Sequence, residues 1–272
     1  MTRIFAVAKN TFREAVRNKI LYSLLVFALA LIVSALALGQ LSVHEDRRMI
    51  VDVGLFGIDF FSVLIAIFVG VNLLYKELAL KTVYTILPKP IARWEFILGK
   101  WLGVMATLSV QVAVMGAVLF FTLWIQGGGD DVDAAIPKAL WLLFMNVTVV
   151  TSIALWFSSF SSPFLSGLLS FGVFVVGRSI PPLEQFANRV GGTFGAIVRG
   201  FTAVLPNLNL FYPSGTALHG SGSYSPGLGR IVSVHGTFVN WAYVGSSTAY
   251  ALGYSALVLG AAMFIFRKRD FV

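Results

Sequence analysis

The sequence predicts an all-α integral membrane protein with six transmembrane helices, forming a single transmembrane domain over residues 1–272. Of the 272 residues, 57% are hydrophobic and only 12% are charged, and the mean hydropathy is +0.84. A soluble domain is about 45–50% apolar and about 25% charged. The surplus apolar surface of this chain therefore has to face lipid. An N-terminal interfacial helix, a cytoplasmic helical segment and a long outer loop complete the predicted architecture.

Composition also excludes several classes of function. The net charge of +8 does not predict a nucleic-acid partner, because the basic residues flank apolar runs and form no single solvated face. The chain has no cysteine, which excludes disulfides, thiolate metal ligands and cysteine nucleophiles. His44, Glu45 and Asp46 are adjacent in a predicted loop, where such residues are usually solvated, so no metal site is predicted.

Six apolar runs are long enough to be transmembrane helices. A helix needs about 20 apolar residues to cross the roughly 30 Å of hydrocarbon, and its backbone groups have to be paired internally. The predicted spans are Ile20–Leu38, Val53–Leu74, Trp101–Ile125, Ala139–Phe160, Phe164–Ile180 and Trp241–Phe266. The fifth is the shortest of the six.

The distribution of Lys and Arg predicts that both termini are cytoplasmic. With the N-terminus inside, the inner segments hold 13 basic residues and the outer segments hold six, although the outer segments are longer in total. Cytoplasmic segments of membrane proteins carry the excess of Lys and Arg. An even number of spans then returns the C-terminus to the same side.

Residues 1–19 predict an amphipathic helix that lies in the membrane interface. An apolar row runs beside a basic row at helical spacing: the first is Ile4, Ala8, Phe12 and Val16, and the second is Lys9, Arg13 and Arg17. Such a helix buries its apolar face among lipids and attracts anionic headgroups with its cations. Membrane lipids are therefore predicted partners. The alternative is a basic flank that only sets the orientation of the first span.

Residues 76–100 predict a compact cytoplasmic elbow between the second and third spans. Pro88 and Pro90 end the helix that leaves the membrane, and Pro90 can also begin a new one, since proline suits the first helical position. In the short helix expected from Pro90, the apolar residues can anchor the segment to the membrane while Arg93 and Glu95 are exposed. The anchoring residues are Trp94, Phe96 and Ile97. The alternative is an ordinary loop.

Residues 181–240 form a long outer loop before the last span. Apolar residues between Leu183 and Leu205 recur at helical spacing, and Gly191 and Gly192 are expected to interrupt them. This pattern predicts one or two helices on the outer membrane face. The stretch Pro206–Gly229 is rich in Pro, Gly, Ser and Asn and is predicted to be loop.

Polar residues within the spans are candidates for function. Asp59 is assigned to the outer part of the second span, where either interfacial solvation or pairing, or a substrate or proton role, would explain it. Asn72 and Asn146 are more often contacts between helices than ligands. No catalytic cluster is predicted, and Gly99-Lys100 followed by Trp101 is not a phosphate-binding loop.

Taken in order, several motifs resemble the membrane subunits of type-two ABC exporters, in the broad group that includes the permease for maturation of nitrous-oxide reductase. The most specific is the elbow, from Leu87-Pro88-Lys89-Pro90 through Leu98-Gly99-Lys100. Asn10–Glu14, Ile65–Gly70 and the terminal Phe266–Phe271 also fit, as does Leu205-Pro206-Asn207-Leu208.

The resemblance implies an ATP-driven exporter in the inner (cytoplasmic) membrane. Two permease subunits, identical or homologous, would pair above a dimer of separate ATPase subunits that bind ATP and Mg. The implied coupling residues are Glu77, Thr82, Pro88, Pro90, Arg93, Trp94, Glu95, Gly99 and Lys100. Two other function classes remain open: an ATP-independent secondary transporter or channel, and an intramembrane enzyme, for which no cluster of catalytic residues is found.

Overall fold

The computed structural model describes residues 2–39, 46–79, 92–125, 131–212 and 241–268. These ranges hold nine α-helices and one short 3₁₀ turn. The helices are α1 (Thr2–Val16), α2 (Lys19–Gly39), α3 (Asp46–Ala79), α4 (Arg93–Ile125), α5 (Asp131–Ser158), α6 (Pro163–Arg178), α7 (Ile180–Val190), α8 (Gly192–Val204) and α9 (Trp241–Lys268), and the 3₁₀ turn is Leu208–Phe211.

Five helices of the described chain are long and apolar enough to span a membrane by themselves. Their apolar stretches are Lys19–Ala37, Ile50–Asn72, Trp94–Ile125, Ile136–Ser158 and Trp241–Phe266. They correspond to five of the six predicted spans. The all-helical, multi-pass architecture expected from the composition is therefore confirmed.

The predicted fifth span, Phe164–Ile180, differs from the others. Its helix α6 has 16 residues, about 24 Å at 1.5 Å per residue, which is less than the hydrocarbon thickness. It is long and apolar enough for a membrane span only when it is taken together with α7, and the two helices are bent by 66° relative to each other. The bend follows from Pro181 and Pro182, because neither proline has an N–H with which to continue the helix across Ser179.

The segment after α6 contains two helices, α7 and α8. They are separated at Gly191 and Gly192, whose φ angles are 61° and 59°. These left-handed values suit glycine, since it has no Cβ to clash. The two glycines interrupt the helical pattern as their position predicts. The predicted loop over Pro206–Gly229 falls largely outside the described residues.

Helices α3 and α5 form the centre of the bundle. Their residues Ile65, Val147 and Val150 are buried in one apolar cluster, together with residues of α4 such as Leu108. By contrast, α2 and α9 lie at the periphery and expose Phe27 and Leu257 by 64% and 76%. This is the pattern expected when lipid covers the outside of a bundle.

Helix α4 differs from the predicted elbow. A separate short helix was expected from Pro90, with the third span beginning at Trp101, but α4 runs without a break from Arg93 to Ile125. The segment after Ala92 contains no proline, and its apolar residues Phe96 and Ile97 are buried. It therefore continues the apolar helix instead of forming an independent one.

One end of the bundle brings together α1 and the ends of three longer helices. Phe96 near the start of α4, Leu155 near the end of α5 and Phe266 near the end of α9 share an apolar cluster, against which Val7 of α1 packs. The rings of Phe96 and Phe266 are stacked at 6.2 Å. Helix α1 and the end of α9 thus lie at the same end of the molecule.

Candidate functional site

Helix α1 packs closely on the start of α4 because two glycines leave room for its backbone. A Cβ added at Gly99 would lie 2.7 Å from Val7 Cβ, and one added at Gly103 would lie 2.6 Å from the Ala8 carbonyl oxygen and 2.5 Å from Thr11 Cβ. Small residues four positions apart allow helices to approach in this way. Gly103 had not been singled out from the sequence, although its spacing from Gly99 was the available signal.

Lys100 joins the same contact electrostatically. Its side chain is 1% exposed, and its Nζ lies 3.8 Å from Glu14 Oε2 of α1. The ammonium group also lies 5.7 Å from the ring centroid of Phe96, a distance at which a cation is attracted to the ring. The start of α4 is therefore held to α1 by both packing and charge.

Helix α4 begins with a side-chain cap at Glu95. The backbone N–H of Ala92 donates a hydrogen bond of 3.0 Å to Glu95 Oε2. A glutamate at the third helical position satisfies the donor at the helix start in this way. Glu95 thus has a structural role beside any contact with a partner.

The remaining predicted coupling residues are only partly described. Trp94 is 50% exposed and does not enter the core. The backbone of Glu77 and of Arg93 is helical, whereas Thr82, Pro88 and Pro90 lie outside the described residues. The proline-containing part of the predicted elbow therefore stays a prediction.

The apolar side of α1 faces the protein more than the prediction assumed. Thr11 and Ala15 are fully buried, and the contacts with Gly99 and Gly103 use Val7, Ala8 and Thr11. Phe12, which was placed on the apolar row, is half-buried, while the basic row of Lys9, Arg13 and Arg17 is exposed. The interfacial position of α1 stays a prediction.

A second candidate site is a buried polar cluster between α3, α5 and α6. Asp59 is 1% exposed. Asn146 Nδ2 donates a hydrogen bond of 2.6 Å to Asp59 Oδ1, and Arg178 Nη1 forms an ion pair with Asp59 Oδ2. The Arg178 guanidinium carbon lies 3.7 Å from the ring centroid of Tyr212. The cluster connects three helices and the segment after the 3₁₀ turn.

Asp59 lies inside the bundle and is paired, which is one of the explanations that the sequence left open. The apolar stretch of α3 begins at Ile50, so Asp59 is about 14 Å along the helix from its start. A charged group at this depth is costly unless it is paired, and Arg178 and Asn146 provide the partners. Arg178 lies near the end of the predicted fifth span and was not singled out from the sequence, because pairing between distant positions leaves no signal in one sequence.

The segment around the 3₁₀ turn closes over this cluster. A Cβ added at Gly177 of α6 would lie 2.6 Å from the Pro206 carbonyl oxygen. The Asn207 N–H donates to the Tyr250 hydroxyl at 3.1 Å, and the Tyr243 hydroxyl donates to the Leu210 carbonyl. These contacts fix the Leu205–Leu208 motif between α6 and α9.

Other polar residues inside the spans bond to their own helices. Asn72 Nδ2 donates to the Phe68 carbonyl at 2.8 Å, and the Thr151 hydroxyl donates to the Val147 carbonyl at 2.7 Å. Such bonds satisfy polar groups without a ligand. Among the described residues, no three His, Cys, Asp or Glu side chains come together in a group that could hold a metal ion.

The comparison with known families agrees with this architecture. The model of the family described as "ABC-2 family transporter protein" matches residues 5–271, and no curated protein matches the chain. The match covers α1, all the long helices and the end of α9, which is nearly the whole sequence. The chain therefore belongs to the ABC-2 family, whose members are membrane components of ABC transporters.

Proposed function

We propose that this chain is the permease subunit of an ATP-driven exporter in the inner membrane, with both termini cytoplasmic. Family membership implies an ABC ATPase partner, and the sequence contains no phosphate-binding loop of its own. ATP and Mg would be bound by that partner. Two permease subunits, identical or homologous, would form the membrane part. The chain would fall in the broad group that includes the permease for maturation of nitrous-oxide reductase.

The observation that carries the proposal is the attachment of the start of α4 to the rest of the bundle. Residues 93–100 are continuous with a helix of 33 residues, are packed on α1 through Gly99 and contact the end of α9 through Phe96. A force applied by an ATPase at this end would move α4 as a rigid rod. It would also displace α1 and α9.

The test separates coupling from helix capping at Glu95. Glu95→Gln keeps an acceptor for the Ala92 N–H, whereas Glu95→Ala removes it. If the charge contacts the ATPase, both variants and Arg93→Ala will lower ATP hydrolysis by the co-purified complex while membrane insertion is unchanged. If only the cap matters, Glu95→Gln will behave as wild type. Unchanged coupled hydrolysis in all three variants would contradict the proposed coupling role.

The chain purified without its ATPase should hydrolyse no ATP, and adding the ATPase should restore activity. Substantial hydrolysis by the chain alone would refute the assignment. The control for the Glu95 and Arg93 variants is Arg199→Gln in the complex. Arg199 is exposed and lies on α8, at the opposite end of the bundle from the start of α4. The ATPase activity of this control should equal that of wild type.

The second candidate is an ATP-independent secondary transporter or channel. The observation that favours it is the buried Asp59–Arg178 pair, because charged residues inside membrane bundles often mark ion or substrate pathways. Vesicles that contain only this chain distinguish the two functions. Transport driven by an ion gradient without ATP, and lost in Asp59→Asn, would support the second candidate.

A further inference from the structure

A polar cavity opens at the end of the bundle where α1, α2 and α3 meet. Its volume is about 770 Å³. Three cations and three amides line it: Arg13, Arg17, Lys19, Asn10, Asn18 and Asn72. Ala15 and Val69 are buried apolar residues at its wall. A cavity with this lining is suited to an anion that also has hydroxyl or ester oxygens.

Among the described residues that line the cavity, the positive charges outnumber the negative ones. Glu14 also lines the cavity, but its carboxylate lies 3.8 Å from Lys100 Nζ, a cation outside the lining. Its negative charge is therefore largely offset by Lys100. The arginine and lysine side chains leave an excess of positive charge, and arginine is the residue best suited to bind phosphate oxygens in a bidentate manner.

The cavity lies at the level where the apolar surface of the bundle ends. Lys19 is the first residue of the apolar stretch of α2, and Asn72 is the last residue of that of α3. Two antiparallel helices thus leave the hydrocarbon region at the cavity. Phe5 on the neighbouring α1 is 70% exposed, as expected of an apolar side chain in contact with lipid. The cavity is placed at the depth of phospholipid headgroups.

We propose that this cavity binds the phosphate group of an anionic phospholipid in the leaflet on the α1 side. The group bound is a phosphate anion, which either a lipid or free phosphate could supply. Because the cavity lies where the apolar surface ends, we assign the phosphate to a lipid headgroup. Arg13 and Arg17 bind the phosphate oxygens, and Lys19 adds a third positive charge. The amides of Asn10 and Asn18 line the same cavity and are placed to donate hydrogen bonds to headgroup oxygens. Binding at this site requires neither the ATPase nor transport.

The experiment measures lipid retention by the full chain, purified in detergent and mixed with equal amounts of phosphatidylglycerol and phosphatidylcholine. Native mass spectrometry counts the bound lipids. The cavity variant is Arg13→Gln with Arg17→Gln. The matched control is Arg3→Gln with Lys9→Gln, which removes two exposed cations from the same helix but none from the cavity lining. A separate sample receives inorganic phosphate in place of lipid.

We expect wild type to retain phosphatidylglycerol in preference to phosphatidylcholine. Retention should fall about tenfold or more in the cavity variant, because each cation near a membrane surface strengthens binding about fivefold, and it should change little in the control. If the cavity variant and the control lost equal amounts of phosphatidylglycerol, retention would depend only on general charge attraction, and the proposal would be overturned. So would equal retention of the two lipids, or variant-dependent binding of inorganic phosphate without any preference for phosphatidylglycerol.

Folding is checked by the melting temperature of each variant. Arg13 and Arg17 are exposed, so their replacement should leave the melting temperature unchanged. If the glutamine pair does not fold, Arg13→Lys with Arg17→Lys keeps the charge but removes the bidentate geometry. Preference for phosphatidylglycerol should then be reduced but not abolished, and undiminished preference would contradict the role of the guanidinium groups.

Discussion

At the scale of single residues, the Asp59–Arg178 pair has the largest expected effect on stability. The Asp59 carboxylate is buried, the Arg178 side chain is 25% exposed, and Asn146 fills a further hydrogen-bonding position on the carboxylate. Breaking a buried pair leaves one charge uncompensated, whereas replacing both partners does not. The pair is thus a strong constraint on how α3 and α6 can move relative to each other.

Arg178→Gln is therefore expected to lower the free energy of unfolding by about 3–5 kcal/mol. Asp59→Asn combined with Arg178→Gln should recover a large part of this loss, since no uncompensated charge remains. Denaturant titration in mixed micelles measures both. Arg199→Gln is the control, because Arg199 is exposed and bonds only Asn188 in the described structure. Asp59→Asn is measured alone as well. If the losses in unfolding free energy of Asp59→Asn and Arg178→Gln add up to that of the double variant, the two residues do not interact.

At the scale of helices, the contact between α1 and α4 depends on missing side-chain volume. Val7, Ala8 and Thr11 occupy the space next to Gly99 and Gly103 that larger residues would need. Overfilling a well-packed contact usually costs about 1–3 kcal/mol. At Gly103 the two nearest atoms are Thr11 Cβ at 2.5 Å and the Ala8 carbonyl oxygen at 2.6 Å, and neither can move away by a change of rotamer.

Gly103→Ala is accordingly expected to displace α1 and to lower the free energy of unfolding by about 1–3 kcal/mol. Gly253→Ala is the matched control, because a Cβ at that position of α9 meets nothing within 4 Å, and alanine is the better helix former. Limited proteolysis near the start of α1 would report its release. Equal stability of the two variants would contradict the close contact.

The helices were predicted more accurately than the contacts between them. Apolar runs such as Trp241–Phe266 locate a span because their length and composition are local properties. The start of α4 was missed because Phe96 and Ile97 are buried only by the fold, so their role looked like that of a surface anchor. The Asp59–Arg178 contact joins positions 119 residues apart, and one sequence carries no signal of that pairing.

At the scale of the whole molecule, the packing determines how often the chain crosses the membrane. Leu155 near the end of α5 and Phe266 near the end of α9 lie in the same cluster, so both helices end on one side. Helix α9 must start on the other side, because its apolar stretch of 26 residues is long enough to cross. The chain therefore has to cross once between Ser158 and Trp241, and α6 with its bent continuation is the only helical segment described there that meets the length requirement. This reasoning favours six spans over five.

The same reasoning predicts opposite sides for the start of α4 and for α7. The absence of cysteine makes single-cysteine labelling direct. A cysteine at Trp94, which is half exposed, should react with a membrane-impermeant maleimide only after the cells are permeabilised. A cysteine at the exposed Gln185 of α7 should react in intact cells. The orientation follows from the 13 basic residues assigned to the inner segments. Reaction of Trp94→Cys in intact cells would place the start of α4 outside, where no ATPase could reach it, and the proposed coupling role of residues 93–100 would have to be abandoned.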